Sequence, residues 1–288
     1  MSYEKTIDLY GDGIGKVQYI DHMGSDLTIV NSARVSFGVE KEELDARDKK
    51  LINYLVKHRH TSTFEHNVVT FKFVVPLFVR SQHMRHRTWS YNEISRRYTD
   101  KDLAFHCPNA FRTQHKSNRQ SSNKDEIDPI LYPDLSDPSF GLTCADYLRQ
   151  HTRLSKDLFN QLMSAGVCRE QARMVLPQNM YTEYYGTVNL NNLLKFIDLR
   201  THEGAQKEIQ DVALACLQIA TDLWPESVGC FRNNSGVKMY EYDFQNKSEK
   251  TEYFVYDIIV CGQLFMDIPE EFIKRIIQND EEDIKRME

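Results

Sequence analysis

Paired cysteines are missing from this 288-residue sequence. Its six cysteines, at 107, 144, 168, 216, 230 and 261, are scattered, and no two are spaced as Cys-x-x-Cys. That spacing argues against a disulfide framework or a zinc ribbon and predicts reduced thiols in a cytoplasmic protein. Long hydrophobic runs are missing too. None approaches the length that spans a bilayer, and Met1-Ser2-Tyr3-Glu4-Lys5 has no signal-peptide pattern, so no membrane role is expected. Overall positive charge is absent: the formal net charge is -6, which argues against general nucleic-acid binding through a basic surface. No internal repeat is found.

The positive charge that is present is local. Five arginines lie between Arg80 and Arg97, interleaved with aromatics, and Glu93 is the only acid among them. Guanidinium groups stay ionised and grip phosphate or carboxylate with two prongs, while aromatic faces stack on bases or on a flavin-like ring. The stretch reads as a nucleotide-anion site rather than a solvated charged face.

Periodicity predicts a strand at Val17–Asp21, a turn, and a short helix to Ala33 that Asp26 could cap. It predicts an amphipathic helix from Lys41 to Lys57 and a strand from His66 to Val75 covered on both faces. After Pro76 a helix is expected from Leu77 to about Arg87. Gln82 and Arg85 would share one face of it, and Arg85 and Arg87, about 200° apart around the axis, would point to opposite sides. Residues about 101–140 read as a long polar excursion, a lid or other surface loop. Helices follow from Cys144 to Met163 and from Arg169 to Leu176, then a strand from Tyr181 to Val188. Asn189 or Asn191 would cap the next helix, in which Arg200 ends the stripe Leu193, Phe196, Ile197. Another helix is expected from Ala205 to Leu223. From Asn233 the pattern changes to a small acidic hairpin plus helix.

Three other chemistries are open to these residues. His58, His60, His83 and His86, with Glu65, offer metal ligands, but the interleaved arginines would repel a cation, so no metal is expected. Ser95 has no base placed beside it and no nucleophile-elbow glycines around it. Cys168, next to Arg169, is the nearest thiol nucleophile.

Arg85-His86-Arg87, seven residues and then Ser95 resembles the signature of the flavin-dependent thymidylate synthases. Ala33-Arg34-Val35-Ser36, His60, Phe64-Glu65-His66, Gln82, Leu176-Pro177, Asn179-Met180-Tyr181, Leu199-Arg200 and Ala205-Gln206-Lys207-Glu208-Ile209-Gln210 resemble blocks of that family in the same order. The resemblance covers roughly Val17 to Phe231. It implies an α+β fold, a mixed sheet flanked by helices, with a catalytic domain over 1–232 and an appended segment over 233–288. It implies reductive methylation of dUMP to dTMP in a homotetramer, with FAD at subunit interfaces, methylenetetrahydrofolate as carbon donor and NADPH as reductant. By the same resemblance Gln82, Arg85, Glu93, Ser95, Arg96, Arg97 and Arg173 would hold dUMP, and Arg200 would polarise the uracil ring. Ser62, Arg85, His86, Arg87, Glu93, Asn189, Asn191 and Lys195 fall at FAD-contact positions, and His60 lies near the flavin and folate rings. Lys195, Asn191 and Gly204 depart from residues common at their positions. The residues alone leave open a non-catalytic nucleotide- or RNA-binding module and a cysteine-dependent thymidylate synthase.

Overall fold

The computed structural model describes residues 4–131 and 141–237. The expected hairpin plus helix beyond 237 lies outside the described residues.

The core is a five-stranded sheet. In order across it stand β1 (Thr6–Asp8), β2 (Lys16–Met23), β3 (Val68–Pro76), β9 (Tyr181–Asn189) and β4 (Ser90–Glu93). The sheet flanked by helices is as expected, but its pairs are all antiparallel, so it is not mixed in direction. Sequence pattern gives the spacing of side chains along a strand and not the direction of its neighbour. In β3, Val69, Phe71, Phe73 and Val75 are fully buried, while Thr70, Lys72 and Val74 between them are half-buried. Only one face is therefore dry core. On the other face Lys72 pairs with Glu183 (2.9 Å) and Thr70 bonds Thr187 (2.9 Å).

Helices cover the apolar face. They are α1 (Asp26–Arg34), α2 (Ala46–Lys57), α3 (Leu77–His83), α6 (Leu190–Arg200), α7 (Lys207–Leu223) and α8 (Pro225–Ser235). Ile209, Val212, Ala213, Ala215, Cys216, Leu217, Ile219 and Ala220 are all buried, so α7 is wrapped on nearly every side and runs through the core. A smaller cluster, Phe159, Ala172, Leu176 and Met180, lies under α4 (Cys144–Ser164) and α5 (Arg169–Ala172).

Asp26 does not cap α1. Ser25 holds that position, and its N–H donates to the Thr28 hydroxyl (3.0 Å). The Asp26 carboxylate, buried, instead accepts the N–H groups of Glu226 and Ser227 (both 3.0 Å) and the Ser227 hydroxyl at the start of α8. Beside it Trp224 Nε1 donates to the Gly24 carbonyl (3.0 Å), and Lys5 pairs with Asp222 (2.5 Å). Asp45 caps α2 through the N–H groups of Arg47 (2.7 Å) and Asp48 (3.0 Å).

The excursion has structure of its own. Ala104 and His106 bond back to Tyr181 and Asn179 (both 2.8 Å). β5 (Phe111–Gln114) and β6 (Ser122–Ile127) form a hairpin, and β7 (Ile130–Leu131) pairs with β8 (Leu142–Thr143).

Candidate active site

The site begins where β3 runs into α3. The expected helix to Arg87 ends at His83 instead. His83 is fully buried, its Nδ1 bonded to the Tyr184 hydroxyl (2.8 Å), with Phe73, Trp89 and Phe196 around its ring. Burial, and then the neighbouring His86 and Arg200, hold its pKa well below the usual histidine range, so it is neutral. Trp89 is buried against Phe71 and Phe73, which takes the chain off the helical path. A turn replaces the helix. The His86 N–H donates to the His83 carbonyl (2.9 Å), and the Tyr91 hydroxyl donates to the carbonyls of His83 (3.0 Å) and His86 (3.2 Å). Contrary to the expectation from the sequence, Arg85 and Arg87 therefore do not stand on opposite faces of a helix. Arg85 and Arg87 are both exposed, with the half-buried His86 between them.

His86 meets Arg200, the last residue of α6. Arg200 Nε donates to His86 Nε2 (3.0 Å), and its Nη2 donates to the Gln82 carbonyl (3.3 Å). An imidazole nitrogen that accepts from a guanidinium cannot carry a proton. Burial, then the Arg200 charge, accordingly lowers the His86 pKa to about 4. The geometry aims a partly buried cation and leaves the rest of its donor fork for a ligand. α6 is placed by its cap: Asn189 Oδ1 accepts the Asn192 N–H (3.0 Å), while Leu193, Phe196 and Ile197 face the core. Asn191, buried, donates to Glu65 (2.9 Å), tying α6 to the short helix Thr61–Phe64 that carries the exposed Ser62. His60 precedes that helix, its ring 5.6 Å from Tyr54. Lys195 is exposed on α6.

Glu93 ends β4. It accepts from Arg80 Nε (2.9 Å) and from the Thr182 hydroxyl (2.7 Å), so its charge is already partnered. Arg80 belongs to the basic block but carries no role by its spacing alone; its place on α3, beside the edge strand, supplies one. Next come Ser95, whose Oγ accepts the Arg97 N–H (3.3 Å), and Arg96, which donates to the Lys101 carbonyl (2.7 Å). Arg97 lies over the Tyr98 ring, 5.3 Å from its centroid. Arg173 is exposed in the turn after α5. Among the described residues no carboxylate pairs with Arg85, Arg87, Arg97 or Arg173. Arg34, by contrast, is committed to Asp48 (2.5 Å).

The structure thus brings Gln82, His86 and Arg200 into one cluster, Glu93 to Arg80, and Asn191 to Glu65. Hydrogen bonds among the described residues do not link these groups to Arg173 or His60. Among the described residues no base or acid bonds Ser95 Oγ, and exposed Cys168 is 3.6 Å from the Gln171 amide oxygen. No three His, Cys, Asp or Glu side chains among the described residues converge as metal ligands do. No helix among them is long and apolar enough to cross a membrane.

An antiparallel sheet under helices, with a histidine-braced arginine and exposed guanidinium groups that pair with no carboxylate among the described residues, defines an α+β protein. A family model described as "Thymidylate synthase complementing protein" matches residues 18–226. The flavin-dependent thymidylate synthase of Thermus thermophilus is 40% identical over 220 residues, 76% of each chain. That of Kosmotoga olearia is 37% identical over 219 residues, 76% of this chain and 90% of its own. Among solved structures, a UMP/dUMP methylase, PolB from Streptomyces cacaoi bound with 5-Br dUMP, is 31% identical with a TM-score of 0.63. It matches 80% of this chain and 99% of its own. The chain belongs to the flavin-dependent thymidylate synthase family. It is therefore an enzyme, a methyltransferase that works with a flavin, and the reading as a non-catalytic binding module falls away.

Proposed function

We propose that the enzyme methylates dUMP to dTMP reductively, as a homotetramer, with methylenetetrahydrofolate as carbon donor and FAD reduced by NADPH. Family membership and a structural neighbour bound with a brominated dUMP support the substrate. The observation that carries the reading is Arg200, held by neutral His86 and the Gln82 carbonyl with donors to spare.

The donor set fits two phosphorylated ligands. Arg85, Arg87, Arg97 and Arg173 are cations without carboxylate partners among the described residues, and their guanidinium forks match phosphate oxygens. We assign Gln82, Arg85, Glu93, Ser95, Arg96, Arg97 and Arg173 to dUMP. We assign Ser62, Arg85, His86, Arg87, Glu93, Asn189, Asn191 and Lys195 to FAD, with His60 near the flavin and folate rings. Bound reduced flavin supplies the hydride that completes the methyl group. Arg200 stabilises negative charge on the uracil ring while carbon adds at C5, and a partly desolvated guanidinium does this better than an exposed one. His86 keeps Arg200 aimed and, being neutral, does not compete with it for the anion. Ser95 is a ligand hydroxyl, and no protein nucleophile is required.

The test is an anaerobic spectrum of the purified protein with FAD. The flavin band bleaches with NADPH and returns on adding dUMP plus methylenetetrahydrofolate, with dTMP formed. Arg200→Ala should keep flavin binding and lose turnover by at least about a hundredfold, the scale of one electrostatic donor. Failure to bind flavin in excess, or normal dTMP formation by Arg200→Ala, overturns the reading.

A further inference from the structure

The β5–β6 hairpin reaches the site through a line of directional hydrogen bonds. We propose that Arg112, on that hairpin, is a positioning residue that fixes which end of the Gln82 amide faces the nucleotide. The inference rests on the dUMP reading of Gln82.

Arg112 Nη2 donates to Glu208 Oε1 (2.7 Å), and its Nε donates to the Ser122 hydroxyl (2.9 Å) within the hairpin. The other Glu208 oxygen accepts from Gln206 Nε2 (2.8 Å). Gln206 Oε1 in turn accepts from Gln82 Nε2. The polarity of each link follows from the one before it. An ionised carboxylate only accepts, so Gln206 turns its NH2 to Glu208 and its carbonyl to Gln82. Gln82 must then give its own NH2 to Gln206. Its Oε1 is left over and has no hydrogen-bond partner among the described residues. The enzyme therefore presents an acceptor at Gln82, suited to the imide N–H of a uracil or a ribose hydroxyl.

The direction holds only while Glu208 is ionised. Its side chain is 12% exposed, and burial alone would raise its pKa. The Arg112 hydrogen bond and charge overcome that and hold it below the ordinary value. The hairpin is also fastened by the Ser121 hydroxyl to the Glu203 carbonyl (3.3 Å), between Arg200 and α7. The same Gln82 lends its backbone carbonyl to Arg200, so the relay and the polarising arginine share one residue.

Glu208→Gln tests this with almost no change of shape. An amide can donate or accept, so the relay loses its fixed direction while the packing stays. We expect KM for dUMP to rise about tenfold, the effect of roughly one hydrogen bond. FAD affinity should be unchanged, with kcat within a factor of about three, as for lost binding that is uniform between ground and transition states. Arg112→Met should act in the same direction. The two together should be no worse than the worse one alone, because both act on one relay. If Arg112→Met does not fold, Arg112→Lys, which keeps the charge, should show a KM between wild type and Glu208→Gln. A dUMP KM within twofold of wild type in Glu208→Gln, additive losses in the pair, or parallel loss of FAD and dUMP binding each overturn the inference and leave the functional reading standing. Wild-type protein that fails to bind dUMP overturns both.

Discussion

At the scale of single residues, the site depends on charges held at fixed values by their neighbours. His86 takes a proton near pH 6.5 when unfolded, but only near pH 4 when folded beside Arg200. Between those values the unfolded chain binds more protons, so stability falls as pH drops from about 6.5 towards 4. Buried His83 acts in the same direction. Carboxylates with lowered values, Asp12 and Glu208 among them, lose their contribution only as pH falls below their unfolded values, near 4. Thermal unfolding measured at pH 7.5, 6 and 5 should show a falling midpoint, and His86→Gln should flatten that slope. An equal slope in the variant would remove His86 as its source. The arginine block was legible in the sequence because guanidinium groups between aromatics are unusual. The partners that set its polarity were not. Arg80 to Glu93, Arg112 to Glu208 and Gln82 to Gln206 join residues 13, 96 and 124 positions apart, and no local pattern encodes such pairs.

At the scale of elements, most helices and strands followed from periodicity, because apolar spacing sets the buried face. The misses have physical causes. The helix after Pro76 stopped at His83 because Trp89 is drawn into the core. β1 and β4, three and four residues long, are too short to show a period. Asp26, at the right place to cap α1, was taken by a helix 200 residues away. Asp26→Ala leaves two N–H groups and a hydroxyl of α8 unmet in a buried place. It should cost about 2 kcal/mol, the upper range for a helix cap. Asp26→Asn, which keeps one acceptor, should recover part of that in urea denaturation. If Asp26→Ala is as stable as wild type, Asp26 is not the cap that holds α8.

At the scale of the whole molecule, the described chain exposes what an assembly would use. Val35 and Phe37 are 72% and 83% exposed on one turn, and Arg85, Arg87, Arg97 and Arg173, which pair with no carboxylate among the described residues, are exposed elsewhere. Sedimentation of the enzyme with FAD should give a tetramer; a monomer that turns over dUMP would refute shared sites. A further consequence follows from the clasp that joins the two ends of the described chain. Asp26, Gly24 and Lys5 are closed by residues 222–227, about 200 positions later. During synthesis the clasp on α1 therefore cannot close until α8, which follows every strand of the five-stranded sheet, has left the ribosome. A nascent chain halted before residue 222 leaves the Asp26 carboxylate and the Gly24 carbonyl without the partners that close them in the folded protein.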